Sequence, residues 1–427
     1  MILPSIDLQG GHAVQLVGGK TLEIDAGDPR PIRKRFSRVG ELALVDLDAA
    51  LGQGSNQELI FELLREGPAR VGGGIRDVEL ARQYLDAGAS KVVIGTKATP
   101  EFLQQLPRDR VCVALDAVEG EVVVEGWRTK TGESIEARLQ ALLPYAASFL
   151  VTFVEREGRL GGTDLQRAKS LVDAAQGAEI IIAGGVSTAP EIASLDAMGA
   201  NAQIGMSLYS GKLHLGDAFS APIAARLGEE PWPTLVTDER GTALGLVYSS
   251  ARSVRAALDE GRGIYESRRR GLWRKGESSG NVQELVRIDL DCDRDALRFT
   301  VRQQGDGFCH TGTETCFGPA KGLAALEKNA WSRKAGAPTG SYTARLYTEP
   351  NLLEAKILEE AGELVEATNP AHVAQEAADL LYFMSVKLAA ANVNWSEVEQ
   401  VLDARALRIS RRPGDAKSPV SRMDEGK

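Results

Sequence analysis

Short apolar runs alternate with longer amphipathic segments over about the first 210 residues of the chain. Each run has the length and composition of a β-strand, and each precedes a segment of helical periodicity such as DVELARQYLDAGA. The runs are ILPSIDL, ELALVDL, ARVGGGI, KVVIGT, RVCVALDA, SFLVTFV, AEIIIAGG and NAQIGMS. Eight βα units in this length favour a closed (β/α)8 barrel over the alternative, a doubly wound open sheet.

The two halves of this region repeat each other. The repeat pairs Asp7 with Asp116, Gly74 with Gly185 and Gly95 with Gly205, each about 110 residues apart. Because a barrel carries its active site at the carboxyl ends of its strands, we expect the two carboxylates to face each other between glycine-rich loops. Such glycines let backbone N–H groups approach phosphate, although tight turns without a ligand also use them. The pattern predicts a substrate with a phosphate at each end and Asp7 and Asp116 as its acid–base pair.

Residues 228–235, GEEPWPTL, end the barrel pattern, and new strand and helix patterns follow. We therefore predict a barrel over residues 1–228, a small zinc-binding α+β domain over 229–329 and an all-α domain over 330–412. Residues 413–427 form a polar tail, and EKNAWSRKAGAPTGSYTARL is expected to be a loop that leads into the last domain.

Three of the four cysteines lie near three aspartates in DCDRDALRFTVRQQGDGFCHTGTETCF. If the segment is extended, Asp291, Asp293 and Asp295 project to one face, where a hard cation such as Mg²⁺ would join them. The thiols of Cys292, Cys309 and Cys316 predict a catalytic Zn²⁺ site with one open position, and His310 is the candidate proton carrier. The alternatives are a structural zinc knuckle with His310 as fourth ligand, or an acidic turn with free cysteines.

A basic, glycine-containing segment, SRRRGLWRKGESSGNVQ, precedes the cysteines. It is typical of a phosphate- and base-binding loop, although basic runs are usually solvated. The candidate substrate-binding residues are Arg268, Arg270, Trp273, Lys275, Gly276, Ser279 and Gln283.

The carboxyl-terminal helical pattern carries two acidic pairs at i,i+3 spacing. Glu360 with Glu363 and Glu376 with Asp379 each share a helix face, so packed helices would bring four carboxylates together. Such a set predicts Mg²⁺ ions that hold a pyrophosphate and activate water, whereas a single pair would usually be a solvated face.

The bulk composition constrains partners and location. The chain has 427 residues, a net charge of −9 and four cysteines, which argues against nucleic-acid binding and against a disulfide scaffold. The amino terminus, MILPSIDLQGG, lacks a basic segment, and no uncharged stretch is long enough for a membrane helix. We therefore expect a cytoplasmic protein that does not bind membranes.

The motifs resemble three families of histidine biosynthesis. The barrel region resembles ProFAR isomerase, a duplicated half-barrel, in the segments PSIDLQGGHAVQL, LVDLDAA, VGGGIRD, VIGTKA, LDAVEGEVVVEGW and IAGGV. This resemblance implies that Asp7 is the general base and Asp116 the general acid. The sequence departs from that family at Gln15, Ala43, Glu157 and Met206. An arginine, a histidine, an aspartate and a basic residue are usual at those positions, so the barrel either isomerises ProFAR or is a degenerate scaffold.

SRRRGLWRKGESSGNVQ and DCDRD…CH…CF resemble phosphoribosyl-AMP cyclohydrolase. That resemblance implies that the aspartates bind Mg²⁺, that the cysteines bind Zn²⁺ at a site completed across a homodimer interface, and that water adds at adenine C6.

The last region resembles phosphoribosyl-ATP pyrophosphohydrolase in SYTARL and in the ExxE and ExxD patterns, the second of which precedes LLY. The order of parts is similar to that of the fungal multifunctional histidine-biosynthesis proteins.

These observations predict an enzyme that acts on small phosphoribosyl nucleotides, first releasing pyrophosphate and then opening the adenine ring. Two alternatives are a house-cleaning nucleotide pyrophosphatase with a non-catalytic barrel and a zinc-knuckle nucleic-acid binder. The net charge and the lack of interleaved aromatic residues disfavour the second alternative.

Overall fold

The computed structural model describes residues 1–410 except 125, 126, 128, 229, 230, 268 and 306. Contacts divide the chain into two compact units. Among the described residues, the first contains Met1–Arg33, Glu41–Leu213 and 404–410, and the second contains Lys34–Gly40 and His214–Asp403.

Twelve strands and nine α-helices precede residue 210 among the described residues. The strands are β1 (Ile2–Gln9), β2 (His12–Val17), β3 (Thr21–Gly27), β4 (Ala43–Asp46), β5 (Arg70–Gly72), β6 (Lys91–Ile94), β7 (Val111–Val118), β8 (Glu121–Val124), β9 (Thr129–Ser134), β10 (Ser148–Phe153), β11 (Glu179–Ala183) and β12 (Ala200–Ile204). The helices are α1 (Pro29–Phe36), α2 (Leu47–Leu51), α3 (Gln57–Leu64), α4 (Val78–Asp86), α5 (Pro100–Leu103), α6 (Ile135–Leu142), α7 (Leu165–Ala174), α8 (Ala189–Ala197) and α9 (Met206–Tyr209).

Eight of these strands close into the predicted barrel. The parallel order is β1, β4, β5, β6, β7, β10, β11 and β12, and β12 returns to pair with β1. All eight coincide with the apolar runs of the sequence, so the (β/α)8 prediction is confirmed and the open sheet is excluded. Cys112, Leu150, Ile181 and Ala183 pack together in the core.

Two β-hairpins extend the barrel and were not predicted. β2–β3 follows β1, and β8–β9 follows β7, so each half of the repeat carries one hairpin after its first strand. β3 and β9 are mostly exposed, and they therefore lack the apolar alternation that marks a strand in sequence.

After the barrel, the second unit contains helix α10 (Leu215–Leu227) and a six-stranded sheet. The sheet and its helix comprise β13 (Trp232–Thr237), β14 (Ala243–Ser249), α11 (Ala251–Glu260), β15 (Ile264–Ser267), β16 (Gly271–Arg274), β17 (Gln283–Leu290) and β18 (Leu297–Gln303). The strand order is β16-β15-β14-β13-β18-β17, and β13–β18 is the only parallel pair among the described strands of this sheet. Trp232, Tyr265 and Phe299 are fully buried in its core. A small α+β domain is confirmed.

The segment that holds the three aspartates is a turn, and the prediction of an extended segment is wrong. β17 ends at Leu290 and β18 begins at Leu297, so residues 291–296 connect two antiparallel strands. The carboxylate of Asp291 accepts hydrogen bonds from the backbone N–H of Asp295 and of Ala296. Arg294 has φ +61°, which bends the chain back on itself.

The remaining described residues form five helices, which confirms the all-α prediction. They are α12 (Gly322–Ala335), α13 (Tyr342–Thr348), α14 (Pro350–Glu366), α15 (Pro370–Ala390) and α16 (Trp395–Leu407). Leu346, Leu353, Phe383 and Val386 form a shared core. Most of the segment expected to be a loop lies in α12 and α13, and α12 runs across the predicted boundary between residues 329 and 330. No helix among the described residues is long and apolar enough to cross a membrane.

Candidate functional sites

A cavity of about 320 Å³ opens at the carboxyl ends of the barrel strands. Asp7 of β1 and Asp116 of β7 line it, as do Gly74, Gly95, Gly185 and Gly205. The structure therefore brings all six barrel residues of the predicted site to one cavity.

The two aspartates differ in their hydrogen-bond partners. Desolvation raises the pKa of Asp7 to about 7, although the Gln15 side-chain amide donates to Asp7 Oδ2 at 3.3 Å. Desolvation also raises the pKa of Asp116, and hydrogen bonds from Thr152 and Trp127 oppose this rise. A carboxyl whose pKa lies near neutrality can both accept and donate a proton, as acid–base catalysis requires.

A third carboxyl, that of Glu157, lines the same cavity. Desolvation, together with the charges of Asp7 and Asp116, raises its pKa to about 7. The sequence marked Glu157 only as a departure from a family pattern. Its position just after β10, at the active-site end of a barrel strand, was the signal that could have identified it.

Backbone conformation and close packing require a glycine at Gly74 and at Gly185. Gly74 has φ +69°, and a Cβ there would meet the backbone of Ala49 at 2.6 Å. Gly185 has φ +83°, and a Cβ would lie 2.3 Å from the carbonyl oxygen of Gly162. At Gly95 a Cβ would make only ordinary contact. Packing of the loops alone therefore accounts for Gly74 and Gly185, and their phosphate-binding role stays a prediction.

The polar groups around the cavity are distributed unevenly. The basic residues that line it are Arg76, Lys97 and Arg138, and they follow or contact the loops that carry Gly74 and Gly95. Among the described lining residues, the two loops that carry Gly185 and Gly205 contribute no lysine or arginine. They contribute instead Ser207, whose buried hydroxyl has no hydrogen-bond partner in the described structure.

In the second unit, the turn between β17 and β18 brings its three aspartates together. One oxygen from each of Asp291, Asp293 and Asp295 lies within 4.8 Å of the others. Desolvation raises the pKa of Asp291, but hydrogen bonds from the backbone of Asp295 and Ala296 outweigh it and lower the pKa. The pKa of Asp295 is raised by desolvation and by Asp293 and Asp291. A cluster of hard oxygen donors that repel one another fits Mg²⁺.

Two of the three predicted zinc ligands lie close together. The hydroxyl of Thr311, 3.1 Å from the sulfur, is the largest of the influences that lower the pKa of Cys309 to about 6. Desolvation and the neighbouring Cys309 raise the pKa of Cys316. Cys292 is exposed and forms no three-residue cluster with these thiols among the described residues. One chain thus offers two nearby thiols, which fits part of a zinc site. His310 Nδ1 lies 3.9 Å from the Cys309 sulfur.

Of the described residues in the predicted substrate loop, Lys275 is the one whose pKa is affected by these thiols. Lys275 is buried, with its Nζ 5.2 Å from the centre of the Phe308 ring; desolvation lowers its pKa, while Cys316 and Cys309 oppose the change. Trp273 lies on β16 against Tyr265. At Gly276, φ is +85° and a Cβ would overlap the backbone of Asn281.

The other predicted members of that loop lie in varied environments. Ser279 and Arg270 are exposed, and Arg268 is outside the described residues. The Gln283 amide is buried and bonded to Tyr265 and Gln303, so what the structure shows for it is a packing role. Substrate binding by these residues stays a prediction.

In the helical region, α14 and α15 bring together three of the four predicted carboxylates. One oxygen from each of Glu360, Glu363 and Glu376 lies within 4.8 Å of the others, whereas Asp379 is exposed and is not part of this group. The hydrogen bond with Glu376 raises the pKa of Glu363, as do desolvation and the neighbouring glutamates. This oxygen-rich cluster also fits Mg²⁺.

Two cationic or titratable side chains beside this cluster were not predicted. Lys356 Nζ lies 2.7 Å from Glu360 Oε1, and His372 Nε2 lies 2.9 Å from Glu376 Oε1. Both are one helical turn away from their partners, a spacing that the sequence contained.

Comparison with known proteins agrees with the division into three regions. The model of the histidine biosynthesis protein family matches residues 1–214, that of phosphoribosyl-AMP cyclohydrolase matches 245–318, and that of phosphoribosyl-ATP pyrophosphohydrolase matches 323–406. The chain belongs to the histidine biosynthesis protein family, with cyclohydrolase and pyrophosphohydrolase domains following the barrel in that order.

Similar proteins contain one or more of these regions. The histidine biosynthesis trifunctional protein of Neurospora crassa is 39% identical over 344 residues, which cover 78% of this chain and 36% of that protein. The histidine biosynthesis bifunctional protein of Schizosaccharomyces pombe is 50% identical over 206 residues, 48% of this chain and 49% of that protein. An isomerase of a phosphoribosylated imidazole carboxamide from Gemmatimonas aurantiaca is 37% identical over 243 residues, 53% of this chain and 98% of that protein. The chain thus spans between about a third and a half of the first two relatives.

Proposed function

We propose that the chain catalyses two consecutive hydrolytic steps of histidine biosynthesis. Helices α12–α16 hydrolyse phosphoribosyl-ATP to phosphoribosyl-AMP and pyrophosphate, and the domain of β13–β18 then opens the adenine ring to form ProFAR. The observation that carries this proposal is the coincidence of two family matches with two separate carboxylate clusters, one inside each matched region.

For the first step, Glu360, Glu363 and Glu376 would hold Mg²⁺, which supplies charge neutralisation for a pyrophosphate leaving group. Lys356 holds Glu360 in place on the same helix, and His372 does the same for Glu376. Asp379, exposed and one turn beyond Glu376 on α15, is a further candidate ligand. Asp379 would bind Mg²⁺ only if the ion, or the substrate that carries it, lies close enough to its carboxylate.

For the second step, Cys309 and Cys316 would hold Zn²⁺, which supplies a hydroxide nucleophile at neutral pH. The lowered pKa of Cys309 favours the thiolate form that binds the metal. His310, exposed beside Cys309, is the group we assign to proton transfer. The aspartate turn would hold Mg²⁺, and Trp273 and Lys275 are candidate contacts for the base and phosphate of the substrate.

The third thiol supports a homodimer. Because Cys292 is exposed and forms no cluster with Cys309 and Cys316 among the described residues of one chain, we propose that Cys292 of a second copy of the chain is the third zinc ligand.

Exposed thiols that must stay reduced to bind zinc favour a cytoplasmic location. The net charge of −9 gives no attraction for nucleic acid.

For the barrel, we propose that it binds a phosphorylated ligand and isomerises ProFAR weakly or not at all. Asp7, Asp116 and Glu157 supply proton-transfer groups, but the loops that carry Gly185 and Gly205 offer no lining cation for a second phosphate. Each charge-assisted hydrogen bond that is missing costs roughly 1.5–3 kcal/mol. The barrel would then act mainly as a scaffold.

The test is to supply each intermediate separately to matched variants. Glu360→Gln is expected to abolish turnover of phosphoribosyl-ATP and to leave ring opening of added phosphoribosyl-AMP intact. Cys309→Ser is expected to do the reverse, so that phosphoribosyl-AMP accumulates. Loss of both activities in either variant would refute the division into two sites. Release of pyrophosphate from ordinary nucleoside triphosphates, with no ring opening, would favour a house-cleaning pyrophosphatase.

A further inference from the structure

Arg226 of helix α10 contacts the aspartate turn of the second unit. Its Nη2 lies 3.1 Å from Asp293 Oδ2 and 3.7 Å from Asp295 Oδ2. The side chains of all three residues are about half exposed, so a metal ion from solvent can reach the same oxygens. Asp291, the third member of the cluster, is held instead by the backbone of its own turn.

The fold places this guanidinium beside the turn. Arg226 lies in the last turn of α10, and Trp232 Nε1 donates to the carbonyl of Gly228, the residue that ends the helix. Trp232 begins β13, which runs parallel to β18 with Thr234 opposite Leu297. Because Leu297 is the first residue after the turn, the end of α10 and the aspartates lie at the same end of the sheet.

Arg226 lies outside the region that matches the cyclohydrolase family. The match to phosphoribosyl-AMP cyclohydrolase covers residues 245–318, so Arg226 lies outside it, on the helix that follows the barrel pattern. A guanidinium keeps its charge at every pH at which a protein is folded. It therefore lowers the repulsion among the three carboxylates whether or not a metal ion is present.

We propose that Arg226 is a resident counter-cation that competes with a divalent cation for Asp293 and Asp295. It keeps the turn compact without metal and weakens the affinity of the turn for the ion. This inference rests on the proposed function of the aspartate turn as a divalent-cation site.

The exposure of the ion pair limits how strongly Arg226 can weaken binding of the metal ion. Exposed ion pairs contribute little, so releasing Asp293 and Asp295 from Arg226 should tighten ion binding roughly 2- to 5-fold. The effect is screened by salt, so it should shrink as ionic strength rises from low to physiological values and beyond.

The experiment is a titration of the full chain with Mn²⁺, with free ion followed by electron paramagnetic resonance. Glu360→Gln and Glu363→Gln are introduced throughout to remove the acidic cluster of the helical region. The thiols are loaded with stoichiometric Zn²⁺, and excess Zn²⁺ is removed before the titration so that it does not compete with Mn²⁺ for the aspartate turn. Arg226→Gln should lower the Kd for Mn²⁺ by roughly 2- to 5-fold, and Arg226→Lys should restore a value near that of the parent. Arg255→Gln is the matched control, because Arg255 of α11 forms an exposed ion pair with Asp217 of α10 at 3.3 Å.

The outcomes separate two failures. If Asp295→Asn does not alter Mn²⁺ binding, the turn is not a cation site and the metal assignment in the proposed function fails. If Asp295→Asn weakens binding but Arg226→Gln leaves the Kd unchanged or raises it, the metal site stands and competition by Arg226 is wrong. A tightening in Arg255→Gln equal to that in Arg226→Gln would also contradict the proposal.

Discussion

Replacing Asp7 with asparagine should stabilise the barrel above neutral pH. The pKa of Asp7 in the folded protein is about 7, whereas its ordinary value is 3.8. The folded state therefore binds a proton more tightly than the unfolded state does. As a result, the contribution of Asp7 to the free energy of unfolding is fully present below pH 4 and is lost as the pH rises through 7.

A difference of about three pKa units corresponds to about 4 kcal/mol. Because Glu157 shares the cavity and its ionisation is linked to that of Asp7, we expect about 2–4 kcal/mol for Asp7 alone. Asparagine cannot ionise, and its side-chain oxygen can still accept the hydrogen bond from Gln15. At pH 8 the barrel of Asp7→Asn should therefore be more stable than the wild type by this amount, and at pH 4 the two should be nearly equal.

Cys112 offers a local assay, since it is fully buried in the barrel core whereas the other three cysteines are not buried. The protein is equilibrated in urea at pH 4 or pH 8 and given a brief maleimide pulse at a common pH and the same urea concentration. Modification of the Cys112 peptide is then read by mass spectrometry. Asp173→Asn, an exposed change on α7, serves as control and should alter stability by less than about 0.5 kcal/mol. Equal stability of wild type and Asp7→Asn at pH 8 would refute the desolvation argument.

Three further outcomes are expected. Removal of Zn²⁺ with a zinc-selective chelator in excess Mg²⁺, or Cys309→Ser, should abolish ring opening while pyrophosphate release continues; full ring-opening activity without zinc would contradict the thiol assignment. Glu360→Gln should reduce phosphoribosyl-ATP turnover by about 100-fold or more, because loss of even an outer partner of a metal ligand costs roughly 10- to 100-fold. The exposed Glu366→Gln on the same helix should leave turnover unchanged. Isomerisation of ProFAR should be absent or far below that of a dedicated isomerase; a KM in the ordinary micromolar range would show that the barrel is a working enzyme.

The barrel was predictable because its strands are buried on both faces and appear as continuous apolar runs. The repeat then placed Asp7 opposite Asp116, and both line the observed cavity. The hairpins β2–β3 and β8–β9 were not predictable in the same way, since their outer strands are exposed and carry no apolar alternation. The role of Glu157 depends on which side chains converge at the end of the barrel, and a linear pattern does not contain that information.

The two acidic clusters show a similar limit. The spacing of the aspartates correctly predicted that they are neighbours, but the predicted extended conformation is wrong. A tight turn between antiparallel strands also brings residues at i, i+2 and i+4 together, so the spacing alone does not distinguish the two conformations. In the helical region, spacing of i,i+3 placed Asp379 on the same face as Glu376. The packing of α14 against α15 nevertheless leaves Asp379 exposed. The contact of Arg226 with the turn joins residues 67 positions apart, and no local pattern predicts it.

The proposed function assigns two consecutive hydrolyses to one chain. The most direct measurement is a time course of the purified wild-type chain with phosphoribosyl-ATP, Mg²⁺ and Zn²⁺, in which pyrophosphate and both nucleotide products are identified by mass spectrometry. We predict that pyrophosphate appears first, that phosphoribosyl-AMP rises and falls, and that a product heavier than phosphoribosyl-AMP by one water molecule accumulates to the same amount as pyrophosphate. If pyrophosphate forms but phosphoribosyl-AMP persists in the presence of both metals, or if neither product forms, this chain does not perform the two consecutive hydrolyses.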